Sequence, residues 1–312
     1  MSGTAKGATG WPALPFAEWR ATCDTLHAHS QVLGKLSVAL APPEWQLAHA
    51  GLRLTARGWE TLLLPAPDGS GCFSVVLDLR THETVVEHGD GRLRRIPLTP
   101  NRAVGEVTRE VLEAVRALAG PVSINPEAQE VPWTVRLDED TEHATYDTAQ
   151  VATYHQVATR VALVLAAARA PFRGRATPVI AWWGSFDLAV SLYNGQTMQP
   201  PANDFITRNS FNEEHIAFGW WPGDDRYPKP AFYAYATPAP DGYDQGLLSP
   251  PESRWEPSLG EFIYDWDDVR AADDPHAAAL DFCRSAVEHS CRSCGWEPVL
   301  SKSAQGTPSP LS

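Results

Sequence analysis

Residues 178–193, PVIAWWGSFDLAVSLY, constrain the fold more than any other stretch of the chain. Gly184 separates two apolar-rich runs, as a tight turn between neighbouring strands requires. Beyond it the pattern has a period of two: Phe186, Leu188, Val190 and Leu192 share one face, and Asp187, Ala189, Ser191 and Tyr193 share the other. The first face is core. The second combines a carboxyl and a phenol with two small side chains, which suits a pocket floor because small groups leave room and polar ones orient a guest. The competing reading of that face is plain solvent, since antiparallel sheets commonly wet one side. Trp182 and Trp183 point to opposite sides of the strand, so one of them belongs to the core.

The rest of the chain arranges itself around this ribbon in a repeated order. A helix is expected between Pro15, in its first turn, and Gly34, its stop, burying Phe16, Trp19, Cys23, Leu26 and Leu33. Strands at 49–55, 59–64, 73–80, 84–88 and 92–98 follow, joined by Pro-Asp-Gly and Gly-Asp-Gly turns, and a helix opened by Thr99 and Pro100 closes at Gly120. The order then recurs. Asp147, with Gln150 in the reciprocal capping position, starts a helix; strands at 178–193, 215–221, 232–237 and 261–264 come next, and Asp274-Pro275 opens a last helix. The pattern predicts an α+β fold of two tandem α/β-meander/α halves, 11–130 and 131–297, packed as one compact unit between disordered tails at 1–10 and 298–312.

Several function classes are disfavoured. A formal net charge of -13 and a pI near 5.2 oppose a sequence-independent grip on nucleic acid, which is built from clustered cations. No run approaches the roughly 20 apolar residues of a membrane span, and the first residues lack a secretory pattern, so no membrane partner and a cytoplasmic location are expected. Five thinly spread cysteines make no disulfide framework in a chain of 312 residues. Cys291 and Cys294 have C-x-x-C spacing but fall on the apolar stripe of a helix, without a second pair, and read as small core residues. Ser185 lacks the glycine spacing and following helix of a nucleophile elbow, and no cofactor fingerprint, P-loop or H-E-x-x-H is present, so any cofactor is left unspecified.

What remains is a constellation that only folding can assemble. Ala217 and Gly219 clear space beside His215 as Ala189 and Ser191 do beside Asp187, so Asp187, His215 and Tyr235 are the first candidates for polar or catalytic contact. Trp182, Trp183, Ser191, Tyr193, Trp221 and Tyr233 are the candidate walls of a pocket between the two halves, where aromatic rings exclude water and strengthen electrostatics. This pattern predicts a small-molecule-binding protein or an enzyme. A metal-dependent enzyme using His49, His143, Glu214 and Glu261 is the alternative, since imidazoles and carboxylates ligate transition metals. A third reading makes the Trp- and Pro-rich segment 220–240 a protein interaction surface. Oligomeric state leaves no mark on the sequence.

The segments WPALPFAEWRATCDTLH, QVLGKLSVAL, LRLTARG, WWGSFDLAVSLYNG, AFGWWPGDDRYPKPAFYAYATPAP and LGEFIYDWDDVR resemble those of a bacterial family of uncharacterised proteins, the domain of unknown function 5996 group. The resemblance spans roughly residues 11–296. It implies a soluble bacterial protein folded as one unit, and it carries over no catalytic residue.

Overall fold

The computed structural model describes residues 10–297 and residue 300, so the tails expected to be disordered lie almost wholly outside the described residues. Helix α1 (Phe16–Leu40) runs straight through Gly34. A Cβ there would sit 2.0 Å from Trp183 Cδ1, so this glycine admits a tryptophan ring from the other half and is not a helix stop. A 3-10 turn at Trp45–Ala50 replaces the start of the first expected strand, with Gln46 and Leu47 in the left-handed region at φ 53° and 55°.

Strands β1 (Arg53–Leu54), β2 (Gly58–Glu60), β3 (Leu64–Pro65), β4 (Cys72–Asp78), β5 (Glu83–His88) and β6 (Leu93–Pro97) form an antiparallel sheet in the order β1-β2-β4-β5-β6, with β3 beside β4. Helix α2 (Val104–Ala119) packs against β5 and β6. It begins later than Thr99 because 99–102 close a turn, in which Asn101 has φ 65° and the Arg102 amide bonds the Thr99 carbonyl at 3.2 Å.

Helix α3 (Thr148–Arg169) starts where expected, the Asp147 carboxylate accepting from the Ala149 and Gln150 amides at 2.8 and 3.0 Å. The second sheet contains β7 (Arg175–Ala176), β8 (Ile180–Trp182), β9 (Asp187–Thr197), β10 (Glu213–Trp221), β11 (Ala231–Thr237), β12 (Arg254–Glu256) and β13 (Glu261–Asp265). Its order is β12-β13-β11-β10-β9-β7, with β8 folded onto β9 across the Gly184 turn. Short helices α4 (Phe205–Ser210) and α5 (Trp266–Ala271) carry no pattern that distinguished them from loops. Helix α6 (Pro275–Ser293) is capped by Asp274, which accepts from the Ala277 amide at 3.0 Å, and packs with α3 against the second sheet.

The result is an α+β fold of two helix-backed antiparallel sheets. Leu52 and Ala181 exchange backbone hydrogen bonds of 3.0 and 2.9 Å, linking β1 to β8 across the halves. One continuous apolar cluster takes Leu26, Trp59 and Val111 from the first half and Val161, Leu188, Phe218 and Phe232 from the second. Leu188, Val190 and Leu192 lie within it, as the alternation of residues 186–193 requires. All five cysteines are free, with Cys283 and Cys291 buried on α6.

Candidate functional site

The other face of β9 is hollow. In the register of the second sheet, Tyr193 lies opposite His215, Ser191 opposite Ala217 and Ala189 opposite Gly219; Ala217 and Gly219 in turn face Tyr235 and Tyr233 on β11. These pairs share one side of the pleat. All of these residues but Gly219 line an open cavity of about 510 Å³, together with Gln46 and Leu47 of the 3-10 turn, Glu130 of the connector, Ile206 of α4 and Phe211 after it, Asp224 and Arg226, and Leu259 before β13.

Ten of the residues singled out from sequence line this cavity: Asp187, His215, Tyr235, Trp182, Trp183, Ser191, Tyr193, Trp221, Tyr233 and Glu261. Trp183 is the core partner of its pair, 8% exposed, with its indole N–H donating to the Ala50 carbonyl at 3.0 Å. The proposed metal ligands are not assembled. His49 accepts the Glu44 amide at 3.0 Å, His143 pairs with Asp140 at 2.7 Å, Glu214 accepts from Asn194 at 2.8 Å, and Glu261 faces the cavity alone of the four. Among the described residues no group of three His, Cys, Asp or Glu side chains is placed to hold a metal ion. Of the aromatic residues of 220–240, Trp220, Trp221, Tyr227, Phe232 and Tyr233 are buried and Tyr235 is half-buried at the cavity.

Asp187 organises the polar side of the cavity. Its carboxylate accepts from the Ser185 hydroxyl at 2.5 Å and from the Tyr233 phenol, whose strand lies one beyond β10. The phenol reaches that far because Gly219 stands between: a Cβ there would come within 2.6 Å of the Tyr233 oxygen and 2.4 Å of the Leu188 carbonyl. Burial raises the Asp187 pKa to about 6, against the two hydrogen bonds, which favour the charged form. Burial and the Asp187 charge together push Glu261 up to about 7, and they act in the same direction on Glu130, an exposed residue whose carboxylate lies against Gly184. Arg226, whose charge opposes both shifts, is itself paired with Asp224 at 2.7 Å.

His215 is 4% exposed, and desolvation lowers its pKa, which favours the neutral ring. Its Nδ1 lies 3.0 Å from the Glu213 carbonyl, an acceptor only, which assigns the proton to Nδ1 and leaves Nε2 as an acceptor. No side chain or backbone group of the described residues hydrogen-bonds that Nε2.

Sequence reasoning missed Glu130, Ser185 and Arg226 as members of the site. Glu130 has φ 58° and lays its carboxylate where a Gly184 Cβ would be, 1.9 Å from Oε2. Its backbone is fixed by Gln31 of α1, whose amide donates to the Gln129 carbonyl at 2.9 Å and accepts the Gln129 amide at 2.7 Å. The neighbouring turn is pinned in the same way. His27 donates from Nε2 to the Trp183 and Gly184 carbonyls at 2.8 and 3.0 Å, and its ring stacks on Phe186 at 4.8 Å. Non-glycine residues with positive φ among the described residues are Gln46, Leu47, His82, Asn101, Glu130 and Phe186. Three of these six line the cavity, and Phe186 joins Ser185 to Asp187, so backbone strain is concentrated here.

Residues 11–302 match the model of the family of unknown function DUF5996, which covers nearly the whole described chain. The chain belongs to this family. No curated protein and no solved structure matches it. Membership of DUF5996 brings no activity with it, and any functional reading rests on the cavity.

Proposed function

We propose that this DUF5996 protein binds a small organic molecule in the aromatic-walled cavity, with Asp187 and His215 as polar contacts and Tyr235 beside them. The observation that carries the reading is a set of acceptors on buried residues turned to an open space: His215, whose Nε2 bonds no described residue, and Asp187, whose carboxyl is held by Ser185 and Tyr233, are 4% and 6% exposed and line a cavity of about 510 Å³. Burying ionisable groups is costly unless something else satisfies them, and strained backbone persists where function requires it. The volume falls in the range of small-molecule sites.

An enzyme is the second reading, favoured by one observation. Asp187, near 6, and Glu261, near 7, would both exchange protons close to neutral pH, as general acid–base groups must. We place the protein in the bacterial cytoplasm, where five free cysteines persist and where an acidic chain has no use for nucleic acid as partner.

The test is a thermal-shift screen of a metabolite library against the protein and against Ala217→Trp, which fills the floor without removing a polar group. Compounds that raise the Tm of the native chain and not of the variant support the reading. A library that shifts both alike, or neither, refutes it.

A further inference from the structure

The polar groups around the cavity are unequal in kind. Ser185 and Tyr233 both spend their hydroxyl protons on Asp187, so each presents lone pairs to the space. His215 presents an unprotonated Nε2, and Glu130, Asp187 and Glu261 present carboxyl oxygens. Acceptors therefore outnumber donors among these groups; the Tyr235 hydroxyl can serve either way, Tyr193 is engaged by Ser191 and Arg175, and the Trp182 and Trp221 indoles and the Ser191 hydroxyl also line the space.

The cations nearby are already engaged. Arg226 grips Asp224 through Nε and Nη2 at 3.0 and 2.7 Å. Arg175 lies over the Tyr193 ring at 3.7 Å but pairs with Glu213 and donates to Gln46 at 3.0 Å. Lys35 lies 5.3 Å from the Trp183 ring centroid, and the carboxylate that acts on it is Glu127, outside the cavity. No cation acts on Asp187, the most deeply buried of the three carboxyls.

The walls point the same way. Tyr233 and Tyr235 are parallel at 6.2 Å, Trp221 meets Tyr233 at 5.6 Å, and His215 meets Tyr235 edge-on at 5.9 Å. Aromatic faces attract cations through their quadrupoles, most strongly where water is excluded. Deepening the small-molecule reading above, on which it rests, we propose that the ligand is an organic cation, a protonated amine or substituted ammonium, held among these rings with its charge toward Asp187 and Glu261 and an N–H toward His215 Nε2.

The test uses three probes of one shape: 2-phenylethylammonium, 2-phenylethanol and phenylacetate, each titrated calorimetrically into the full-length protein at about pH 8, where the cavity carboxyls are ionised and the amine is charged. The ammonium is expected to bind at least about tenfold more tightly than the alcohol, ~1.4 kcal/mol, with phenylacetate weakest. In Glu261→Gln, whose side chain keeps its shape, that advantage shrinks, the ammonium losing more affinity than the alcohol. Equal binding of ammonium and alcohol, or tightest binding of phenylacetate, overturns the cation inference and leaves the small-molecule reading standing. Failure of the ammonium to bind at millimolar concentration overturns the cation inference as well, and the small-molecule reading is decided separately by the metabolite screen.

Discussion

Replacing Tyr233 with Phe deletes one hydroxyl and tests the electrostatic logic of the cavity. Asp187 has an ordinary pKa of 3.8 and is raised to about 6 in the folded protein, so folding is weakened as pH rises through that interval. Below about 3.8 the carboxyl is neutral in both states and carries no penalty; above about 6 it is charged in both, and the folded state bears the full desolvation cost. Two pKa units correspond to ~3 kcal/mol. The Tyr233 phenol donates to the charged form, and a hydrogen bond to a charged group is worth ~1.5–3 kcal/mol. In Tyr233→Phe the Asp187 pKa should therefore climb a further ~1–2 units. The variant's stability penalty should be small at about pH 5, where Asp187 is largely protonated, and should grow to ~1.5–3 kcal/mol at about pH 8. Urea denaturation across that range measures the penalty, and carboxyl-carbon NMR titration of Asp187 gives the pKa. A penalty of the same size at every pH, with the Asp187 titration unmoved, would refute the reasoning.

Gly219→Ala should destabilise by ~1–3 kcal/mol, the cost of overpacking, and break the Tyr233–Asp187 contact, seen as a drop in urea midpoint together with a changed tyrosine near-ultraviolet signal. Gln31→Ala removes both bonds that hold Gln129, and NMR titration should show the Glu130 pKa falling back toward 4.5 as its carboxylate leaves the Gly184 turn and the Asp187 charge. Asp274→Ala strips the cap of α6 and should cost ~1 kcal/mol in denaturant without affecting probe binding in the cavity, because that cap lies on the covered side of the sheet.

The parts of the site legible in the sequence were those with local periodicity. The alternation from Phe186 to Tyr193 fixed which side chains enter the core and which face the cavity without any knowledge of their neighbours, and the small residues Ala217 and Gly219 marked the same hollow on β10. Glu130 was invisible because its placement depends on Gln31, which holds the neighbouring Gln129 from 98 residues earlier, and on a left-handed backbone that no local pattern announces. Gly34 resembled a helix stop because its reason for being glycine, the Trp183 ring, belongs to the turn after β8 in the other half. His143 shows the opposite case: its partner Asp140 stands three residues away, and a local pair of that kind is the ordinary fate of a histidine. The other proposed ligands are likewise turned to partners of their own, His49 to the Glu44 amide and Glu214 to Asn194 on the adjacent strand.

Native mass spectrometry of freshly isolated protein, set beside Ala217→Trp prepared identically, tests the central claim most directly. A cavity that holds a small molecule predicts an adduct of small-molecule mass on the native chain, displaced by 2-phenylethylammonium and missing from the variant. Adducts that survive unchanged in Ala217→Trp, or a native chain that emerges bare and takes up no probe, would contradict the account.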